Sequence, residues 1–105
     1  MASVLFTQAV AADLEDGQKL FLEGKYQECI RMARDAISKY DRYRDEEWPI
    51  LLSRADAEIG KYADSQAAIQ TALKANYSSI RLRLEGYYAF MRTGLRKEAN
   101  TYLEE

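Results

Sequence analysis

Apolar residues along this chain recur at helical spacing in six successive runs, and a glycine stands between the two members of each pair. Val10, Leu14, Gly17, Leu20 and Phe21 fall at i, i+4, i+7, i+10 and i+11, which predicts one face of a helix closing at Gly24. The next run predicts a helix over 26–40, with Ile30, Ala33, Ile37 and Tyr40 inward and Cys29 and Ala36 beside them. A third helix begins near Glu46 to Pro49, where proline is tolerated because a first-turn N–H has no partner within the helix. Its inward residues are Trp48, Leu51, Leu52, Ala55 and Ile59, and it ends at Gly60. A fourth helix, over about 62–75, turns Ser65, Ala68, Ile69, Ala72 and Leu73 inward. After the turn at Asn76 to Ser79, with Ser78 or Ser79 as N-cap, the fifth presents Ile80, Leu84, Tyr87, Tyr88 and Met91 and closes at Gly94. The sixth, from about Arg96 to Glu104, offers Ala99, Tyr102 and Leu103.

The turns repeat as well as the helices. Gly24-Lys25-Tyr26 is echoed by Gly60-Lys61-Tyr62 and, more faintly, by Gly94-Leu95-Arg96, at spacings of 36 and 34 residues. A fixed period with a helix on either side of a glycine turn is the mark of a helical solenoid. The predicted fold is therefore all-α: an α-α superhelix of three antiparallel helix pairs over about 10–43, 46–77 and 79–105.

Composition narrows function by exclusion. The chain of 105 residues has no histidine, which removes the commonest general base and metal ligand together. Among its motifs there is no Ser-His, Cys-His or phosphate-loop constellation, and carboxylate pairs such as Asp13 and Glu15, or Glu46 and Glu47, read as helix-start charge. No enzyme activity, cofactor or metal is expected. A formal charge of −2 gives no case for nucleic acid, and no apolar run approaches a membrane span. Cys29 is read as a small buried residue; one free thiol suits a reducing compartment without excluding export.

Residues 3–11 run from Ser3-Val4-Leu5-Phe6 into Ala9-Val10-Ala11 ahead of the acidic Asp13. That pattern fits both the tail of a secretory signal peptide, which would make 1–9 a remnant and the protein exported, and a plain helix start. At the other end, nothing after Glu105 would cover Ala99, Tyr102 and Leu103, so these three are expected to form a self-association face or to be buried in a longer protein.

The three helix–glycine–helix units resemble tetratricopeptide repeats over about residues 10–105, a resemblance that implies a right-handed solenoid. Gly17, Leu20, Tyr26, Cys29 and Ala36 match the repeat's pattern in the first unit, Ser53, Tyr62, Ser65 and Ala72 in the second, and Phe90 and Ala99 in the third. The chain departs from the pattern at Asp13 and Asp16, at Asp56 on a normally aromatic site, and at Tyr87 and Arg96. The resemblance implies a non-catalytic scaffold that holds a protein or extended peptide in a concave groove lined by the first helix of each pair. The groove positions would be Leu14, Gln18 and Leu22, then Ile50, Arg54 and Glu58, then Arg81, Tyr88 and Arg92. Leu14 and Gln18 stand where a chaperone-tail clamp has lysine and asparagine, so that ligand is not expected, although Arg54, Arg81, Arg92 and Tyr88 suit an acidic or aromatic-rich peptide. Alternative readings are self-association, aided by an acidic first unit (Asp13, Glu15, Asp16, Glu23) and a basic third (Arg81, Arg83, Arg92, Arg96, Lys97), and an accessory domain of a larger exported enzyme. Tyr26, Tyr62 and Tyr102 are expected in the core.

Overall fold

A computed structural model describes residues 14–40 and 45–104. The signal-like stretch 3–11, Val10, Asp13 and the connector residues 41–44 lie outside the described residues, as does the side chain of Tyr40. Among the described residues six helices follow one another: α1, described over 14–22; α2, Tyr26–Tyr40; α3, Glu47–Glu58; α4, Tyr62–Ala75; α5, Ile80–Met91; and α6, Arg96–Thr101. Among the described residues there is no strand, and no helix is long and apolar enough to cross a membrane.

Each pair turns on the same hydrogen-bond motif. Gly24 N–H donates to Phe21 O and Lys25 N–H to Leu20 O; Gly60 and Lys61 repeat this to Ala57 and Asp56, and Gly94 and Leu95 to Met91 and Phe90. The three glycines have φ of 78°, 79° and 75°, the left-handed region that a Cβ disfavours. Ser79 caps α5, its hydroxyl accepting from Leu82 N–H at 3.1 Å.

Helix α3 is the central wall. It packs on α2, α4 and α5, while α4 packs on α5 and α5 on α6. Its Trp48, Leu51, Leu52 and Ala55 join Cys29, Ile30, Ala33, Ala36 and Ile37 in the main core, against which Leu14, Leu20 and Phe21 of α1 pack. Its Ile50 faces the other way and joins Ile69, Ala72 and Leu82 in a second cluster. Close approach needs small residues: a Cβ at Gly17 would lie 2.9 Å from Trp48 Cζ3. The same is seen at Gly86, where it would lie 3.0 Å from Tyr102.

The fifth helix corrects the expectation drawn from its apolar spacing. Leu82, Glu85, Gly86, Ala89 and Phe90 are buried, whereas Ile80, Leu84 and Tyr88 are 82%, 44% and 48% exposed. The inward face is chosen by partners that spacing does not reveal: Phe90 stacks on Tyr102 at 5.5 Å, Gly86 admits that ring, and Glu85 meets Arg54. The same packing revises the C-terminal face. Ala99 is fully buried and Tyr102 half-buried against α5, so of the three expected self-association residues only Leu103 is exposed. Tyr62, expected in the core, is 40% exposed.

Candidate functional site

Helices α1, α3 and α5 present one continuous surface on the side of α3 that carries Ile50, Arg54 and Glu58. Two hollows open on it. The first, of about 340 Å³, lies between α1, α3 and the start of α5, and includes Gln18, Phe21, Leu22, Ile50, Arg54 and Arg81. The second, of about 400 Å³, is lined by Phe21, Arg54, Ala57, Glu58, Tyr62 and Arg92. Phe21 and Arg54 belong to both, so the hollows form one groove with an aromatic ring and a guanidinium at its middle.

Phe21 owes its place to the end of α1. It sits in the last turn before Gly24, and its ring meets Tyr26 edge-on at 5.4 Å. Leu22, next to it, is 84% exposed and adds an apolar side chain to the edge of the groove. Ile50 contributes only an edge, being 4% exposed and held in the second core cluster.

The groove's cations are mostly engaged. Arg54 Nε donates to Glu85 Oε2 at 3.3 Å, and Arg54 Nη2 pairs with Glu85 Oε1. That hydrogen bond holds the Arg54 guanidinium above its usual pKa, against the opposing effect of burial. Glu85 is nearly buried, so Arg54 is the counter-ion that its burial requires. Arg81 donates to Glu47 and, at 3.3 Å, to Glu46, and its pKa is raised chiefly by the bond to Glu47. Glu46 also accepts from Ser79. These contacts tie the second helix pair to the third across the groove. Arg92 is exposed and makes no ion pair among the described residues.

Of the nine groove residues expected from sequence, Gln18, Leu22, Ile50, Arg54, Glu58, Arg81 and Arg92 line the two hollows. Leu14 does not; it packs against the main core. Tyr88 does not either, and its ring leans edge-on against Tyr87 at 5.4 Å. Phe21, Glu47, Leu51, Ala57 and Tyr62 line the groove without having been expected there. Phe21 was legible as the neighbour of Leu22, three residues on from Gln18, but its apolar character assigned it wholly to the core. Glu47 and Glu85 carry no signal in sequence, because only the fold brings them to Arg81 and Arg54. Among the described residues no group of three metal-ligating side chains occurs.

No family model and no curated protein matches the sequence. Among solved structures, the chain is similar to the second TPR of Spaghetti (RPAP3) bound to HSP90 peptide SRMEEVD. The TM-score is 0.79 at 20% sequence identity, over 99% of this chain and 94% of that one. At that identity the likeness establishes the architecture: three tetratricopeptide-type helix pairs.

Proposed function

We propose that this tetratricopeptide-repeat fold serves as a non-catalytic binding module that holds an extended peptide in the groove of α1, α3 and α5. The observation that carries the reading is the pair of hollows joined at Phe21 and Arg54, beside the uncovered Leu22. The similar structure holds an acidic peptide, SRMEEVD. The ligand suited to this groove is of a different kind. Arg54 and Arg81 already serve Glu85, Glu46 and Glu47, leaving Arg92 as the cation free for a partner. The matching peptide places an apolar side chain on Phe21 and Leu22 and one acidic group at Arg92.

The test is selection from a displayed peptide library, followed by affinity measurement on Leu22→Asp and Arg92→Glu. Neither residue packs in the core or joins an ion pair, so both variants should fold as the parent does. Each should weaken the selected peptides about tenfold or more, the loss expected from one buried apolar or ionic contact. Peptides that bind both variants as tightly as the parent would overturn the reading.

One observation favours self-association as a second reading. Ile80, Leu84 and Tyr88 form an exposed i, i+4, i+8 row on α5, outside both hollows. Any association between copies would use this row rather than Ala99 and Tyr102. Light scattering across a concentration series decides it: a mass that doubles with concentration and reverts in Leu84→Asp supports association, and a constant 12.1 kDa excludes it.

A further inference from the structure

The second helix pair departs from the other two at one packing layer. The glycine spacings of 36 and 34 align Leu20, Asp56 and Phe90 on the first helices, and Met32, Ala68 and Tyr102 on the second. In the first pair Leu20 and Met32 both pack against the main core. In the third, Phe90 stacks on Tyr102. In the second, a carboxylate faces a methyl group where the other pairs have two large apolar side chains.

The space so vacated is a cavity of about 370 Å³ between α2 and α4, over the side of α3 that faces away from the groove. Ile37, Leu52 and Ala68 give it apolar walls. Asp56 is its floor, with no exposed surface, and neither of its carboxylate oxygens has a hydrogen-bond partner. Arg34 and Asp64 stand at the rim, each about half exposed. Arg34 Nη2 lies 3.9 Å from Asp56 Oδ1 and 3.8 Å from Asp64 Oδ2. Both separations exceed a hydrogen bond, so Arg34 supplies a nearby charge without satisfying either carboxylate. Lys61 at the turn is a second cation near Asp56, yet neither it nor Arg34 hydrogen-bonds the buried carboxylate. A buried polar group without a partner is costly, and native structures rarely keep one for packing. Apolar walls ending in an unpartnered carboxylate match an alkyl chain ending in a cation.

We propose that this cavity binds an alkylammonium group, either a lysine side chain or a free aliphatic diamine. The methylenes lie against Ile37, Leu52 and Ala68, and the ammonium donates to Asp56 as Arg34 moves outward. A compact ammonium, with three donors, can serve both Asp56 oxygens within this volume. The site lies on the other side of α3 from the peptide groove and does not depend on it.

The test is an amide-resolved NMR titration of the full chain with 1,5-diaminopentane, with Nα-acetyl-lysine N-methylamide, and with 1-pentanol as the neutral control. Saturable shifts centred on Ile37, Leu52, Asp56 and Ala68 are expected with both amines and not with the alcohol. Asp56→Asn should lower the affinity at least tenfold. Arg34→Ala, which removes the competing cation, should raise it about twofold or more, an effect that a structural role for the cavity would not produce. Tighter binding of the diamine identifies a free amine as the ligand; tighter binding of the lysine derivative identifies a lysine on a partner. The absence of saturable shifts in the parent chain, or equal affinity in Asp56→Asn with its fold intact, would overturn the proposal.

Discussion

Ser53 and Ser65 hold each other at the centre of the α3–α4 pair. Their hydroxyls lie 2.8 Å apart, and Ser53 Oγ also reaches the Ser65 carbonyl oxygen at 2.9 Å, with both residues fully buried. The equivalent positions of the first pair are Gly17 and Cys29, where the thiol donates to the Gly17 carbonyl at 3.4 Å. In both pairs small residues let the backbones close, and a side-chain proton satisfies an acceptor at the contact. Ser53→Ala strands the Ser65 hydroxyl and should cost about 1–3 kcal/mol, whereas Ser65→Ala leaves the Ser53 hydroxyl donating to the carbonyl of residue 65 and should cost less. The double variant should cost clearly less than the sum, because no buried hydroxyl is then left alone. Denaturant unfolding of the three variants measures the coupling, and strict additivity would contradict this account.

Arg54 and Arg81 look alike on the groove surface and should behave differently when removed. Arg81 pairs with the partly exposed Glu46 and Glu47, so Arg81→Ala should change stability by no more than about 1 kcal/mol. Arg54 serves the nearly buried Glu85, and Arg54→Ala leaves that carboxylate without its counter-ion. Because Arg54 itself is half exposed and water can reach the pair, a loss of about 2 kcal/mol is expected rather than the full penalty of a buried ion. Arg54→Ala with Glu85→Leu should recover most of it. Similar thermal shifts for the two single variants would count against the distinction.

Asp56 gives stability a pH dependence of unusual sign for a carboxylate. Burial raises its pKa above the ordinary 3.8; Arg34 on α2 and Lys61 at the turn lower it, and Asp64 on α4 raises it further. The folded state thus holds the proton more tightly than the unfolded one. Its contribution is fully present below pH 3.8 and is lost as the pH rises through the folded value. Asp56→Asn removes that titration. The variant should match the parent at low pH and become the more stable of the two as pH rises to neutrality, by about 1 kcal/mol or more. Parallel stability curves from pH 3 to 8 would mean that Asp56 is not desolvated.

The C-terminal pair separates two adjacent residues that read alike in sequence. Tyr102 stacks on Phe90 and covers Gly86, whereas Leu103 is 53% exposed. Tyr102→Ala should destabilise by about 2–3 kcal/mol, and Leu103→Asp by less than about 0.5 kcal/mol. Thermal melts of the two variants provide the comparison, and the reverse order would place the α5–α6 contact elsewhere.

What could be read from the chain depended on whether a residue's environment is local. Trp48, Leu51, Leu52 and Ala55 were legible because they recur at helical spacing on one buried face of α3, where Asp56 is the exception that the apolar pattern does not anticipate. The glycine turns were legible because their backbone conformation depends on the residue itself. Helix α5 was misread because both of its faces are apolar, and the buried one carries Glu85 and Gly86, whose justification lies on Arg54 and Tyr102. The groove was legible as a face, through Gln18, Leu22, Arg54 and Glu58 at helical spacing. Its electrostatics were not, because the acids that neutralise Arg54 and Arg81 come from a different helix in each case.

Helix α3 contributes buried side chains to both apolar clusters, and α2 and α4 both pack on it around the Asp56 cavity. Among the described residues, it is the one helix whose buried side chains belong to both clusters. A change in tilt between the first pair and the third would turn about α3 as a lever turns about its fulcrum. A peptide resting on Phe21 of α1, Arg54 of α3 and Arg92 of α5 would touch both arms and the pivot at once. Such a ligand would act as a caliper, selecting among curvatures of the superhelix by the span over which its own side chains are set.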